Sequence, residues 1–257
     1  MKLIYEVKDR VAYITINRPE AMNAMDAEVY AEISRAWVDV RDNPDVWVAI
    51  VTGAGQKAFT AGADLKAMAK RAPEKADFWL TQKDMLLNRG LEVWKPVIAA
   101  VNGYCLAGGM TLLFGTDIRI AAEHAVFEIS EVKRGILPGN GGTQRALRQL
   151  PYAIAMELLL LGRRLTAQEA LNYGLINKIV PMAELMPAAE QCARQLCENG
   201  PLALRAIKEL AVRSQSLSLE QGIRLEQAVQ EFLRTTDDAK EGPRAFAEKR
   251  KPAYKAR

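Results

Sequence analysis

The sequence predicts an α/β fold, a mostly parallel sheet with intervening helices, closed by a helical C-terminal region. Three observations point there. Residues 46–51 and 96–101 are unbroken apolar runs, as expected of strands buried on both faces. Segments long enough for helices separate the predicted strands, and parallel strands need such crossovers. From Leu185 onward the pattern is helical only, with capping residues, Gly and Pro at the breaks.

In chain order, residues 3–7 and 11–16 alternate like a hairpin that turns at Asp9-Arg10. Asn17-Arg18-Pro19 ends the second strand, and Asp26 is placed to cap a helix reaching about residue 39. After the strand at 46–51, a helix is expected over 77–93, then the strand at 96–101 and a short helix over 109–114. Two short strands follow, at 118–121 and 125–129, and then a helix over 142–161. Thr166-Ala167-Gln168-Glu169 is a capping box for a short helix that stops before Gly174. A last strand is expected at 176–180. Residues 186–199 are helical, with Pro187 in the first turn and Gly200 at the end. Pro201 opens the next helix, whose apolar stripe is Leu204, Ile207, Leu210 and Ala211. Ser218-Leu219-Glu220-Gln221 is a second capping box, leading into a helix with Leu225, Ala228, Val229, Phe232 and Leu233 on one face. The division is therefore a core domain, 1–184, and a helical region, 185–257. Those amphipathic helices need a partner surface, either the core or a neighbouring subunit.

With 257 residues, half of them apolar, the chain can bury one large core. The 35 basic and 31 acidic residues leave a mild net charge of +4. No Lys/Arg run is interleaved with aromatics over most of the chain, so nucleic acid is not an expected partner. The basic excess collects in Lys249, Arg250, Lys251, Lys255 and Arg257. That tail reads either as a solvated, fraying terminus or as an attractor for an anionic ligand. Cys105, Cys192 and Cys197 are odd in number and lack metal-ligand spacing, so a reduced, cytoplasmic protein is expected. No secretory signal or membrane-length apolar run is present, and no membrane partner is expected. His124 is the only histidine, which argues against His-dependent triads and multi-His metal sites. No metal is expected.

Gly53-Ala54-Gly55-Gln56-Lys57-Ala58 follows a strand and fits the dinucleotide pattern G-x-G-x-x-A. A nucleotide site would need a helix to begin there, to receive the pyrophosphate. Phe59-Thr60-Ala61-Gly62-Ala63 follows instead, which is poor helix material, so Gly53 and Gly55 read as a turn. The stronger signal comes from two other segments. One is Lys57-Ala58-Phe59-Thr60-Ala61-Gly62-Ala63-Asp64-Leu65-Lys66. The other runs from Lys95 through Asn102-Gly103-Tyr104-Cys105-Leu106-Ala107-Gly108-Gly109 to Asp117, then on to Glu131 and Gly139-Asn140-Gly141-Gly142-Thr143-Gln144-Arg145. Small residues at 61–63 and 107–109 let a ligand approach the backbone closely. Each stretch follows or interrupts a predicted strand and can present a free N–H. Two such donors aimed at one atom make an oxyanion hole.

Together these segments resemble the enoyl-CoA hydratase/isomerase (crotonase) superfamily, and the resemblance covers nearly the whole chain. It implies a crotonase-like fold of repeated β-β-α units, in trimers often paired into hexamers. It implies an acyl-CoA substrate, with coenzyme A present only as the thioester part and no separate cofactor. The resemblance places the oxyanion donors at Ala63 N–H and Gly108 N–H, the latter just before the helix expected over 109–114. Ala61, Asp64, Leu65, Thr111 and Gly139 fall at substrate-binding positions, with Asp64 more often structural in the family. Met68, Phe78, Trp79, Leu80, Met85 and Leu87 form either an ordinary core-facing helix or an apolar wall for the acyl group.

Glu131 matches the second catalytic glutamate of the family's hydratases and the single glutamate of many of its isomerases. Otherwise it reads as a surface charge paired with Lys133 or Arg134. Glu128 is expected on an exposed strand face, with a substitute base as the other possibility. Thr111 stands where hydratases of the family carry their first glutamate. A hydroxyl cannot replace a carboxylate as base near neutral pH, although it can hold a water. A 1,3-proton shift needs one base, whereas alkene hydration in the family is attributed to two glutamates. The expectation is therefore an enolate-stabilising acyl-CoA enzyme with Glu131 as principal acid/base. A true hydratase or dehydratase, resembling carnitinyl-CoA dehydratases at the C-terminus, and a non-catalytic acyl-CoA-binding protein are the alternatives.

Overall fold

The computed structural model describes residues 1–69, 86, 87 and 90–257. The strands are β1 (Leu3–Lys8), β2 (Val11–Ile16), β3 (Val48–Gly53), β4 (Ala58–Thr60), β5 (Val97–Val101), β6 (Tyr104–Leu106), β7 (Ile118–Ala122), β8 (Val126–Glu128), β9 (Arg164–Thr166) and β10 (Lys178–Val180). The helices are α1 (Ala27–Asp42), α2 (Leu65–Met68), α3 (Gly108–Leu113), α4 (Gly142–Gln149), α5 (Tyr152–Met156), α6 (Ala167–Asn172), α7 (Leu185–Cys197), α8 (Pro201–Arg213), α9 (Leu219–Arg234) and α10 (Asp237–Ala247). A six-stranded sheet runs β1-β2-β3-β5-β7-β10, and a four-stranded sheet runs β4-β6-β8-β9. Successive strands alternate between the sheets: β3 then β4 then α2, β5 then β6 then α3, β7 then β8. This is the repeated β-β-α arrangement the resemblance implied.

Side-chain alternation explains how one strand serves two cores. Ala49, Val51, Val97, Ala99 and Val101 face one way, into a cluster with Val29, Ile33, Trp37 and Val40 of α1. Val48, Ile50, Ile98 and Ala100 face the other way, into a cluster with Leu185, Ala189 and Ala193 of α7. Both faces of the central strands are therefore dry. Asp26 caps α1 by accepting from Val29 N–H at 3.0 Å, and both capping boxes form. The β1–β2 hairpin turns on Asp9 and Arg10, which sit at φ 51° and 68°.

Several expectations need correction. The helix over 142–161 is two helices: the chain is extended at Leu150 before Pro151, because a proline disfavours the helical conformation of its predecessor. A turn of π-helix over Glu157–Leu161 follows α5. Leu91 and Val93, assigned to a helix over 77–93, are not helical, and residues 77–85 lie outside the described residues. The basic C-terminus does not fray, because its backbone is tied down. Asp237 N–H and Asp238 N–H donate to Arg257 O, and the Asp238 carboxylate accepts from Lys255 N–H and Ala256 N–H. Tyr254 packs into the cluster beneath α7. His124 is exposed, with Nε2 2.8 Å from Gln56 O.

Among the described residues, no helix is long and apolar enough to cross a membrane. Helix α9 buries none of its residues within the chain, and Phe232 on its apolar face is 69% exposed.

Candidate active site

Strands β4, β6 and β8 run parallel, so their C-terminal ends emerge on one edge of the small sheet. Ligand sites of α/β proteins gather at such edges. Ala63 follows β4, Gly108 follows β6 and Glu131 follows β8. Segments far apart in sequence are brought together by this topology.

The loop after β4 is held by hydrogen bonds on every side except one. Ala61 N–H donates to Met22 O at 3.0 Å, and Gly62 N–H to Thr60 Oγ1 at 3.0 Å. Met25 N–H donates to Gly62 O at 2.8 Å, and Asp64 N–H to Met25 O at 2.9 Å. Met25 thus bridges the residues on either side of Ala63, leaving the Ala63 N–H turned away from the ladder. The Asp64 carboxylate caps α2 through Ala67 N–H at 3.1 Å and pairs with Arg18 at 3.1 Å. These hydrogen bonds, the one from Ala67 first, lower its pKa, so Asp64 is a fixed structural anion. Leu65 begins α2 and is half exposed.

Ala107 precedes Gly108 with φ 48° and ψ −114°, a conformation L-residues rarely adopt. Its N–H donates to Glu128 O at 2.9 Å, which ties it to β8. Gly108 is the first residue of α3, where the N–H has no intrahelical acceptor. Among the described residues, neither Ala63 N–H nor Gly108 N–H donates to the protein. The two loops meet glycine to backbone. A Cβ at Gly62 would lie 2.5 Å from Gly108 N, and a Cβ at Gly108 would lie 3.4 Å from Ala63 N. Two open amides therefore stand side by side.

Thr111 is buried, and its Oγ1 donates to Gly108 O at 3.0 Å. Its methyl packs on Gly142, where a Cβ would come within 2.9 Å of it. Gly108, Thr111, Leu112 and Asn140 join Met25 and Tyr30 around a tight cleft of about 10 Å³, room for about one water. Gly139 is exposed and opens the turn whose next residues, Asn140 and Gly141, take φ 55° and 80° before α4. Of the expected apolar wall, Leu87 is buried, while Phe78, Trp79, Leu80 and Met85 lie outside the described residues.

Glu131 opens a 3-10 turn over Glu131–Arg134 and is buried, with Oε2 meeting no hydrogen-bond partner. Burial raises its pKa above the ordinary 4.5, and the nearby Glu128 charge adds to the rise. The pairing of Glu131 with Lys133 expected of a surface charge is absent. Lys133 Nζ bonds Glu128 Oε1 at 2.8 Å instead. Glu128 corrects a second expectation, because it is buried and not on an exposed face. Its Oε2 accepts from Arg164 Nε at 2.6 Å. Burial pushes the Glu128 pKa up, but the hydrogen bonds and charges of Lys133 and Arg164 outweigh that and leave it lowered. A carboxylate with both oxygens occupied by cations is poorly placed to act as a base. Its neighbours in sequence could not reveal this, because Arg164 arrives through the β8–β9 register.

A family model described as enoyl-CoA hydratase/isomerase matches residues 6–257. The chain belongs to this family. It is 40% identical over 255 residues to the (E)-benzylidenesuccinyl-CoA hydratase of Thauera aromatica, covering 99% of each chain. It is 42% identical over 248 residues to the carnitinyl-CoA dehydratase of Salmonella enteritidis, covering 95% of this chain and 94% of that one. Among solved structures, an enoyl-CoA hydratase from Bacillus anthracis superposes with a TM-score of 0.92 at 35% identity, covering 100% of both chains. An enoyl-CoA hydratase from Mycobacterium marinum superposes at 0.89 with 38% identity, covering 100% of this chain and 99% of that one. The fold is that of the crotonase enzymes, and the chain is an enzyme of the lyase and isomerase kind.

Proposed function

We propose that this enzyme acts on acyl-CoA thioesters through an enolate, with Glu131 as principal acid/base. The observation that carries the reading is that two open amides stand side by side after β4 and β6, and a buried carboxyl follows β8, the next parallel strand of the same sheet. When a proton leaves a carbon next to the thioester, charge builds on the carbonyl oxygen. Ala63 N–H and Gly108 N–H supply donors for that oxygen, and such donors gain strength in a dry site. The Glu131 carboxylate takes the proton and returns it, to the same carbon or to one two positions along. Its raised pKa brings it nearer the working pH, which suits a group that must both accept and release a proton. Thr111 shapes the pocket and has no ionisable group to serve as a second base.

Hydration or dehydration of a 2-enoyl-CoA is the second reading, favoured by the two relatives above, which are named as a hydratase and a dehydratase. There a water oxygen bonds the β-carbon and the α-carbon receives the proton. A water beside Thr111 would then cover the role of the first family glutamate. We further propose that the uncovered face of α9 meets a second copy of the chain, as in the trimers or paired trimers expected of the family.

Incubation with a panel of acyl-CoA esters in heavy water, followed by mass spectrometry, tests the reading. Deuterium at the α-carbon is expected for at least one ester, with Glu131→Gln removing it. Binding of the esters without any exchange would refute the enolate mechanism.

A further inference from the structure

The proposed chemistry gives Glu128 no step, yet Glu128 touches both halves of the site. Its main-chain carbonyl holds the Ala107 N–H at 2.9 Å, and so fixes the residue that precedes the Gly108 amide. Its carboxylate is held by Lys133 at 2.8 Å and Arg164 at 2.6 Å. Lys133 lies in the same 3-10 turn as Glu131. The ion pair therefore closes a loop from residue 128 to residue 133, with Glu131 inside it. The loop is anchored within by Ile129, which is buried in the main core. The Lys133 stem is seated as well: a Cβ at Gly162 would come within 2.7 Å of its Cε. Arg164 stands opposite Glu128 in the antiparallel β8–β9 register.

We propose that Glu128 is a positioning residue, whose clamped carboxylate sets the Glu131 carboxyl against the Gly108 amide. This rests on the reading of Glu131 as the acid/base group. The physical case begins with cost. A buried carboxylate is unfavourable unless it is paired, and an apolar side chain of similar size would stabilise a strand end at least as well. What a fully paired buried ion offers instead is one defined arrangement. Here that arrangement spans the proton-transfer group and one oxyanion donor. Displacing a reacting group by about 1 Å can cost about a hundredfold in rate. A looser turn at residues 131–134 would reduce the maximal rate without altering the surfaces that bind the thioester.

The test compares Glu128→Gln, Lys133→Met, Lys133→Arg and Glu131→Gln with the unaltered enzyme. The readout is α-proton exchange of butyryl-CoA in heavy water, with its maximal rate and half-saturation, next to calorimetric binding of the same ester. Glu128→Gln and Lys133→Met are each expected to lose about tenfold or more in maximal rate, with half-saturation and binding within about twofold. Lys133→Arg, which keeps the cation, is expected to recover to within about threefold of the unaltered enzyme. A folded Glu128→Gln exchanging at full rate would overturn the proposal. So would a Lys133→Arg no better than Lys133→Met, or a loss confined to half-saturation. Should Glu128→Gln fail to fold, the two Lys133 variants decide, because that side chain is 43% exposed and tolerant of change. Exchange surviving in Glu131→Gln would instead remove the acid/base reading itself. Absence of exchange in the unaltered enzyme with every ester of the panel would remove both, and an ester that does exchange replaces butyryl-CoA where the latter does not.

Discussion

Replacing Gly62 by alanine perturbs the two open amides with a single methyl group. Gly62 adopts φ +85°, and a Cβ there would meet Gly108 N at 2.5 Å, Leu106 O at 3.0 Å and Ala107 Cβ at 3.1 Å. The two nearest of these are backbone atoms, so no side chain can swing aside. Non-bonded carbon contacts rest at about 3.5–4.0 Å, so the Gly108 amide must retreat by about 1 Å. Removing one oxyanion donor typically costs about 100- to 1,000-fold, or roughly 2.7–4 kcal/mol of transition-state stabilisation. The left-handed backbone adds about 1 kcal/mol of strain, which lowers the melting temperature by about 2–4 °C in a chain of this size. Gly174→Ala separates the two effects. That glycine has φ +74° with nothing within 4 Å of its Cβ, so it carries the backbone strain without the collision. The assay measures α-proton exchange, ester binding and thermal unfolding for both variants. Gly62→Ala is expected to lose at least about a hundredfold in exchange while still binding butyryl-CoA. Gly174→Ala is expected to lose a few degrees and no activity. A folded Gly62→Ala within about threefold of the original rate would refute the role given to Gly108 N–H.

Substitutions at Glu131, Thr111 and Phe232 carry further expected outcomes. Glu131→Gln should abolish exchange while leaving ester binding intact, and the acid limb of the unaltered enzyme's rate profile should lie above pH 4.5, because the Glu131 pKa is raised. The same shift carries a stability sign: the folded state holds this proton more tightly than the unfolded chain, so its contribution is lost as pH rises from about 4.5 through the folded value. Glu131→Gln should therefore gain stability relative to the original as pH rises through that window, and a pH-independent difference in melting temperature would count against the raised pKa. Thr111→Glu should raise hydration of crotonyl-CoA if one base operates now, at a cost of about 1–3 kcal/mol from overpacking against Gly142; rapid hydration by the original enzyme, unchanged by the substitution, would favour the hydratase reading. Phe232→Asp places a charge on the exposed face of α9, and light scattering should show the particle mass falling to that of a single chain; an unchanged mass would move the proposed subunit contact elsewhere.

Local chemistry made much of this fold readable in the sequence. Unbroken apolar runs marked β3 and β5, because strands dry on both faces favour apolar side chains and admit a polar one, such as Thr52, only where it finds a partner. Asp26, Thr166 and Ser218 marked helix starts, because unpaired N–H groups in a first turn need a nearby acceptor. Pro151 carried a readable signal too, and the long apolar stretch around it obscured the break. Strands β4, β6 and β9 span three residues each, too few for any periodicity to show, and exist because their neighbours supply the ladder. Small residues at 61–63 and 107–109, with Glu131 downstream, marked the candidate site through the family resemblance. What tertiary structure alone decided is how these pieces meet. Met25 takes the hydrogen bonds on either side of Ala63 and leaves its N–H open, a result of chain crossing that no local pattern encodes. Pairing separates two buried glutamates three residues apart in sequence. Glu128 is clamped by a lysine and by an arginine from a distant strand, while Glu131 keeps an oxygen without a partner. Sequence supplies the charges, but solvent access and long-range partners set what each charge can do, and both arise only when the chain has closed on itself.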